Sequence, residues 1–266
     1  MHQLCAATQM LERILVVGLG SIGSRHARLV RELLPSARIA ALRHSASTGE
    51  LADGLDYSFS RLEDALAFHP QVAVIANPAS FHLGAAQSLA QVGAHLLVEK
   101  PLSNSTEGIA ELINTCRNRN LTLMVAYNLR FLPSLRQFRL LLQQNRVGRV
   151  LSVRAEIGQY LPTWRPQSDY RYSVSAKSAL GGGVLLELSH EIDYLQWLFG
   201  DIEWVQGMQC TQSDLEIDVE DSAHLILGFV PRLNEVPIVA SLNMDFIRHD
   251  TTRACTVIGE TGTLRW

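Results

Sequence analysis

The stretch Gly18-Leu19-Gly20-Ser21-Ile22-Gly23 decides the fold of the first half of this chain. It ends the apolar run Arg13–Gly18 and leads into a helix-like segment that Pro35 stops. The GxGxxG spacing between a strand and a helix is typical of a turn that binds a dinucleotide. We therefore predict a nucleotide-binding site at the end of the first strand.

Each glycine of this turn has its own physical role. Gly18 permits the tight turn, Gly20 lets the backbone approach a pyrophosphate, and Gly23 allows helix and strand to pack closely. The start of the following helix adds free N–H groups and the positive end of the helix dipole. The residues predicted to hold the cofactor phosphates are Gly18, Gly20, Ser21, Ile22 and Gly23.

Composition narrows the possible functions. The 266 residues carry 23 basic and 26 acidic side chains, and this balance argues against a nucleic-acid or anionic-membrane partner. Apolar runs stay short of the ~18 residues of a membrane span, and the first ten residues do not resemble a signal peptide. The cysteines have no CxxC pair or zinc-ligand spacing, which indicates idle thiols, no metal site and a cytoplasmic location: they are Cys5, Cys116, Cys210 and Cys255.

The order of apolar runs and helix-like segments predicts two domains. Up to about residue 127, unbroken apolar runs alternate with helical segments, which is typical of a parallel sheet covered on both faces. After Val150, strand-like runs follow one another with turns between them and one strong helix, Val184–Phe199. The predicted fold is an α/β Rossmann-type parallel-sheet domain over residues 1–127, then an α+β domain over residues 128–266 with a mainly antiparallel open sheet.

The second strand should end beside the ribose of the cofactor. A carboxylate there would select NAD, whereas this strand ends in Arg43-His44-Ser45 with no acid at hand. A cation and a hydroxyl suit a 2′-phosphate, so Arg43 and Ser45 favour NADP, and NAD remains open. The alternative is a solvated arginine at the end of a strand.

Four further motifs follow the glycine turn. They are Asn77-Pro78-Ala79-Ser80-Phe81-His82, Glu99-Lys100-Pro101-Leu102, Tyr127-Asn128-Leu129-Arg130-Phe131, and Gly181-Gly182-Gly183 leading to the helix with His190. As a set within residues 14–266, they resemble the Gfo/Idh/MocA family, the glucose–fructose oxidoreductase and inositol dehydrogenase group. The resemblance implies hydride transfer between NAD(P) and a sugar, polyol or related hydroxyl compound.

The resemblance assigns the proton of the reacting oxygen to Lys100, the lysine of the Glu-Lys-Pro motif. Its predicted position agrees, because open α/β sheets bind ligands at the carboxyl ends of their strands. Pro101 fixes the turn there, and the family's peptide before this proline is often cis. The alternative is a surface lysine that pairs with Glu99. Predicted cofactor contacts in these motifs are Asn77, Pro78, His82, Glu99, Lys100 and Asn128.

Helical periodicity separates a core face of Val184–Phe199 from a polar face. The polar face carries His190, Asp193, Tyr194 and Trp197. We predict that His190 contacts the substrate hydroxyl and shares its proton, and that Asp193 orients the ring or binds a hydroxyl. The family commonly has an aspartate four residues before the histidine, where this chain has a leucine, so Glu187 is predicted to replace it. The alternative is that this face of the helix is polar and has no role in a site. The predicted core face comprises Leu185, Leu188, Ile192, Leu195 and Phe199.

A loop of aromatic and basic residues is predicted to meet the substrate. It runs from Trp164-Arg165-Pro166 to Asp169-Tyr170-Arg171. If it is functional, Arg165 and Arg171 indicate a phosphorylated or nucleotide-linked sugar, and the sequence resembles family members associated with surface-polysaccharide sugars. The alternative is that the loop only packs against its own domain. The predicted substrate contacts are Lys100, Tyr127, Trp164, Arg165, Arg171 and His190.

Other functions stay open. A non-catalytic NAD(P)-binding sensor or assembly protein would share the fold, although intact Lys100 and His190 favour an enzyme. A methyltransferase-like nucleotide site needs an acid after the second strand, and Arg43 argues against it. The expected partners are a small sugar-type substrate and, since this family usually pairs across its open sheet, a second copy of the chain.

The last residues, Gly259–Trp266, resemble a turn and strand that lie late in the family's second domain. Related chains continue past this point with further strands. We therefore expect a fold that lacks its C-terminal end, with an exposed sheet edge or apolar patch near Trp266.

Overall fold

The computed structural model of the protein describes residues 11–43, 54–231 and 236–266. Contacts divide the chain into two compact units, Met1–Ala126 and Tyr127–Trp266. Ser45, predicted above to contact the ribose, and Cys5 lie outside the described residues. Within the described ranges, no helix is both long and apolar enough to cross a membrane.

The first unit is built on a sheet whose neighbouring strands all run parallel, in the order β3-β2-β1-β4-β5-β6. The strands are β1 (Arg13–Val17), β2 (Arg38–Leu42), β3 (Tyr57–Phe59), β4 (Val72–Ile75), β5 (His95–Val98) and β6 (Leu123–Val125). The helices are α1 (Ser21–Leu33), α2 (Leu62–Ala67), α3 (His82–Gln91) and α4 (Ile109–Asn118).

The central strand β1 explains why this half folds as predicted. Ile14, Leu15 and Val16 are almost fully buried, as a strand with both faces covered requires. The chain moves outward from β1 through β2 on one side and through β4 on the other. At such a reversal the carboxyl ends of the strands leave a crevice for a ligand. The predicted parallel sheet is confirmed, and its carboxyl edge is where the fingerprint turn lies.

The second unit contains a mixed sheet in the order β12-β11-β7-β10-β9-β8. Its helices are α5 (Pro133–Gln143), α6 (Leu161–Trp164), α7 (Val184–Glu187) and α8 (His190–Phe199). Its strands are β7 (Val150–Gly158), β8 (Ile202–Cys210), β9 (Ser222–Phe229), β10 (Val239–Asp245), β11 (Thr252–Gly259) and β12 (Thr263–Arg265). The mainly antiparallel sheet is confirmed, with one addition: β7 and β10 pair in parallel.

One face of this second sheet carries the core of the unit, and the other is open. Val153, Leu242 and Val257 point into the core together with helix residues such as Leu195. The opposite face, defined by the alternation of β8 to β10, leaves large apolar side chains exposed. They are Trp204, Met208, Ile226 and Val239.

The predicted continuous helix Val184–Phe199 is wrong. The chain leaves the α conformation at Leu188, where φ is −100° and ψ is 20°, and Glu191 N–H then donates to the Leu188 carbonyl across a tighter turn. The turn between α7 and α8 changes the helical phase. The predicted core residue Ile192 is only half-buried, and Asp193 and Tyr194, predicted on the polar face, are buried. Leu195 and Phe199 are buried as predicted, and Glu191, Tyr194 and Leu198 complete the core side of α8.

The end of the described chain packs into the second unit. β12 lies at one edge of the sheet. The Trp266 ring meets Tyr194 edge-on with centroids 5.4 Å apart, and its Nε1–H donates to Ser134 Oγ at 3.0 Å. Trp266 therefore packs against the core and does not itself form the expected apolar patch.

Candidate active site

The glycine turn leaves room for a ligand at only one of its three glycines. Gly18 has a φ of +87°, and a Cβ there would lie 2.8 Å from the Asn77 nitrogen. A Cβ on Gly23 would overlap the Gly18 carbonyl oxygen. Gly20, by contrast, has nothing within 4 Å of a Cβ position, and it caps α1 without any side-chain hydrogen bond. The space and the helix start both suit a pyrophosphate.

The loop after β4 carries the next predicted contacts. Asn77 and Pro78 lie there, and Asn77 Oδ1 is buried with no hydrogen-bond partner in the described parts of the chain. A buried acceptor without a donor is uncommon in folded proteins. Its surroundings therefore suit a donor from a bound molecule, such as a ribose hydroxyl or a carboxamide.

His82 differs from its predicted role as a cofactor contact. The residue is 1% exposed, and it opens α3. Its Nδ1 lies 2.8 Å from the Pro101 carbonyl oxygen, and its Nε2 lies 2.7 Å from that of Asn77. Both ring nitrogens are thus occupied by the backbone, so His82 connects two loops and has no nitrogen left for a cofactor.

The Glu-Lys-Pro motif follows β5 at the same edge of the sheet, and its Lys100–Pro101 peptide is cis. Glu99 Oε1 lies 2.7 Å from His26 Nε2 of α1, and Glu99 Oε2 accepts from the Lys100 backbone N–H at 3.3 Å. Burial raises the pKa of Glu99, but His26 and the Lys100 N–H together bring it below its usual value. His26 was not predicted. The sequence feature that could have identified His26 is its position three residues after Gly23, on the side of α1 that faces the sheet.

Arg43 lies directly after β2, and its backbone N–H donates to the Phe59 carbonyl. The carboxyl ends of β1 and β2 are aligned, because Val17 pairs with Leu42 and Gly18 N–H donates to the Leu42 carbonyl. Arg43 therefore follows the strand that adjoins the fingerprint turn.

In the second unit, His190 opens α8 and Glu187 ends α7. The His190 ring meets Tyr127 edge-on with centroids 5.6 Å apart, and the Tyr127 hydroxyl donates to Ser189 Oγ at 3.4 Å. Burial raises the pKa of Tyr127, so its phenol stays protonated at neutral pH. Asn128, predicted to contact the cofactor, follows as an exposed residue at the start of a 3₁₀ turn.

Asp193 has a partner that was not predicted. Arg130 Nε donates to Asp193 Oδ2 at 2.8 Å, and Arg130 Nη2 donates to Asp193 Oδ1 at 2.7 Å. This fork engages both carboxylate oxygens. Asp193 therefore anchors α8 to the Asn128–Phe131 turn, which differs from the predicted orientation of the His190 ring.

We expect Asp193→Asn to lower the free energy of unfolding by about 1–3 kcal/mol, because the charged fork is lost around a buried group. Urea denaturation measures the change. The matched control is Glu260→Gln, which weakens the solvent-exposed fork from Arg149. That change should be undetectable, since exposed pairs contribute little. Equal losses in the two variants would contradict a buried anchoring role for Asp193.

The predicted substrate loop divides into two parts. Trp164 packs edge-on against Phe246, and its Nε1–H is buried without an acceptor among the described residues. Arg171 instead donates to Asp169 and Glu216 at 2.6 and 2.8 Å, and these carboxylates raise its pKa. Arg171 is thus neutralised within the chain, whereas the neighbouring Arg165 is exposed. Trp164 and Arg165 line a small cavity with Leu161, Ser168, Tyr170, Ser173 and Ser175.

The described residues contain no group of three histidine, cysteine or acidic side chains that could hold a metal ion. Cys116, Cys210 and Cys255 are free thiols, and burial raises the pKa of Cys255 to about 12. Such a thiol stays protonated and inert.

Two family models together match most of the chain. Residues 12–127 match the oxidoreductase family with an NAD-binding Rossmann fold, and residues 135–265 match the GFO/IDH/MocA C-terminal domain. Among curated proteins, an uncharacterized oxidoreductase of Synechocystis sp. is 32% identical over 165 residues, which are 61% of this chain and 42% of that protein. Levoglucosan dehydrogenase of Pseudarthrobacter phenanthrenivorans is 31% identical over 143 residues, 53% of this chain and 36% of that protein. The chain spans less than half the length of these two relatives.

Solved structures share the fold over nearly the whole chain. The WlbA dehydrogenase of Bordetella pertussis, in complex with NADH and UDP-GlcNAcA, is 26% identical with a TM-score of 0.82, covering 96% of this chain and 79% of that one. The myo-inositol 2-dehydrogenase of Lactobacillus plantarum is 19% identical with a TM-score of 0.81, covering 96% and 76%. The second likeness concerns the fold alone.

Proposed function

We propose that this chain, which belongs to the Gfo/Idh/MocA family, is an oxidoreductase that transfers a hydride between a nicotinamide dinucleotide and a hydroxyl-bearing carbon of a sugar-type substrate. One observation carries the proposal: three loops are joined at the carboxyl edge of one parallel sheet. Gly18 lies against the Asn77 backbone, and the His82 ring connects Asn77 to Pro101. Lys100 therefore lies beside the loops that suit a dinucleotide.

The residues of this chain handle the proton that accompanies the hydride. A bound nicotinamide supplies the hydride acceptor or donor at its C4. In the oxidation direction, neutral Lys100 accepts the proton of the substrate hydroxyl as the carbonyl forms; in reduction, the ammonium donates it. His190 is the proposed contact for a substrate hydroxyl, and the Tyr127 ring restricts the orientation of the imidazole. Asp193 and Arg130 act by fixing α8.

The preference between the two dinucleotides rests on Arg43. The cation at the end of β2 supports NADP, while the WlbA structure of Bordetella pertussis contains NADH. We expect Arg43→Ala to weaken NADPH binding about 10- to 100-fold, since a charge-assisted contact contributes roughly 1.5–3 kcal/mol. NADH binding should stay within about threefold.

Fluorescence titration with both reduced cofactors measures the effect of Arg43. The control is Arg38→Ala, since Arg38 is exposed at the opposite end of the same strand. Two results together would overturn the preference for NADP. The unmodified protein would bind NADH more tightly than NADPH, and Arg43→Ala would leave both affinities unchanged.

The substrate class is a sugar or polyol, with a nucleotide-linked sugar as the narrower proposal. An exposed Arg165 beside a half-buried Trp164 offers a cation for phosphate and a ring for a sugar face. The test is a panel of polyols, sugars and nucleotide sugars followed by the absorbance of the reduced nicotinamide. The narrower proposal is supported if nucleotide sugars turn over faster than free sugars and Arg165→Ala abolishes that difference. Equal turnover rates of nucleotide sugars and free sugars contradict it.

A sensor or assembly protein that binds NAD(P) without catalysis is the second candidate function. Such a protein would need only the dinucleotide site at the carboxyl edge of the parallel sheet. It predicts tight cofactor binding and no hydride exchange with any member of the panel.

A homo-oligomer formed through the open face of the second sheet is also proposed, on the exposure of Trp204 and Met208. Sedimentation of Trp204→Asp against the unmodified chain tests it.

A further inference from the structure

His82 has a hydrogen-bonding arrangement that a neutral histidine cannot satisfy. Its two ring nitrogens lie 2.8 and 2.7 Å from the carbonyl oxygens of Pro101 and Asn77. A carbonyl oxygen only accepts, so each nitrogen must carry a hydrogen to make both bonds. Only the imidazolium has two N–H donors. A neutral ring would aim a lone pair at one of the two carbonyls, and at 1% exposure water cannot compensate.

We propose that His82 is a proton-dependent clamp, which holds the Asn77 loop and the Lys100–Pro101 segment together when both ring nitrogens are protonated and releases one carbonyl when a proton leaves. His82 is therefore a positioning residue: it touches neither substrate nor cofactor, but fixes the backbone that presents Asn77 and Lys100. This inference rests on the proposed function, because it assigns these two loops to the cofactor site.

The charged groups around the ring determine when it titrates. Burial lowers the pKa of His82 below its usual value, the Pro101 and Asn77 carbonyls and the Glu99 carboxylate act to raise it, and Lys100 lowers it. Glu99 is itself paired with His26. The start of α3 also disfavours a cation. The net direction is downward, so the clamp is mostly half-formed at neutral pH and becomes complete as the pH falls.

Linkage gives the sign of the effect on the cofactor. If the completed clamp favours the arrangement of the Asn77 loop and the Lys100–Pro101 segment that binds NADH, then NADH binds more tightly as the pH falls through the titration of His82. By the same reciprocity, NADH binding moves the titration midpoint of the ring to higher pH. One gained hydrogen bond corresponds to about 2- to 10-fold in affinity. NADH is the suitable probe because its nicotinamide carries no positive charge that would repel the imidazolium.

The experiment combines two measurements on the full chain. The ¹⁵N NMR spectrum of the histidine rings, recorded from pH 5 to pH 8, shows how many nitrogens of His82 are protonated; the ring is assigned by its through-space contacts to Pro101, which needs no variant. NADH titrations over the same range use the unmodified chain, His82→Gln and His95→Gln. His95 is the matched control, since its Nδ1 accepts from the Thr122 backbone N–H at the end of β5 opposite Lys100.

We expect two protonated nitrogens on His82 at the acid end, an affinity gain of about 2- to 10-fold there, and loss of that gain only in His82→Gln. A glutamine amide carries both of its N–H groups on one nitrogen, so it does not reproduce the donors at the two separate ring positions. A ring with a single protonated nitrogen over the whole range would overturn the clamp, as would the same pH dependence in His82→Gln. Absence of NADH binding in every variant contradicts the proposed function, and the ring spectrum then decides the clamp separately.

Discussion

Replacing Lys100 with alanine is expected to lower turnover about 10²- to 10⁴-fold, the usual contribution of a group that transfers a proton in the transition state. NADH affinity should change by less than about threefold, because the turn at Gly20 and the buried Asn77 acceptor lie on other loops. Steady-state rates on the substrate found by the panel, together with a fluorescence titration, separate the two effects.

The sequence offers a matched control for this substitution. Lys177 is its one other lysine, and it lies in the second unit beside a 3₁₀ turn. Lys177→Ala should leave both turnover and cofactor affinity unchanged. If Lys100→Ala retained full turnover, another group would have to move the proton, and the proposed mechanism would be wrong.

The second large effect is expected at Gly20, where adding a single methyl group should weaken dinucleotide binding and leave the fold intact. A Cβ there meets no protein atom within 4 Å, and the φ of −65° is accessible to alanine. Gly20→Ala should therefore fold, with a stability loss of at most about 1 kcal/mol from the poorer N-cap. If the pyrophosphate lies at this turn, as proposed, the same methyl group takes part of its space, and overpacking of about 1–3 kcal/mol corresponds to a loss of about 5- to 150-fold in dinucleotide affinity.

Gly84→Ala is the counterpart, because Gly84 also has nothing within 4 Å of a Cβ position and lies in α3 of the same unit. It should stabilise the helix by up to about 1 kcal/mol and leave cofactor binding unchanged. Equal affinities in Gly20→Ala and Gly84→Ala would place the phosphates elsewhere. Unfolding of Gly20→Ala would show that the turn is tighter than its open space indicates.

The sequence predicted the elements whose burial leaves a local pattern. β1 and β4 are unbroken apolar runs because both of their faces are covered, and the fingerprint turn is readable because glycine has no substitute at Gly18 and Gly23. β3 was missed because it is a three-residue edge strand with two exposed side chains, Tyr57 and Ser58, and has no apolar run. The parallel pairing of β7 with β10 was missed because strand order is not encoded in periodicity.

Side-chain partners were harder to predict than side-chain types. His82 and Asp193 were both identified as site residues, but their partners come from distant parts of the chain. The second carbonyl held by His82 is 19 residues away, and Arg130 lies 63 residues before Asp193. The helix break at Leu188 also moved Asp193 into the interior, which a single uninterrupted period could not indicate.

The position of β7 in the second sheet has a consequence for how that unit forms during synthesis. β7 lies between β10 and β11, so this early strand has no pairing partner until residues some 80 to 100 positions later have been made. At about 5–20 residues per second, β7 waits roughly 5–20 s with its edges unpaired. The strands of the first unit, in contrast, all precede Tyr127. The first unit can therefore be complete on the ribosome while the second sheet is still an unpaired strand.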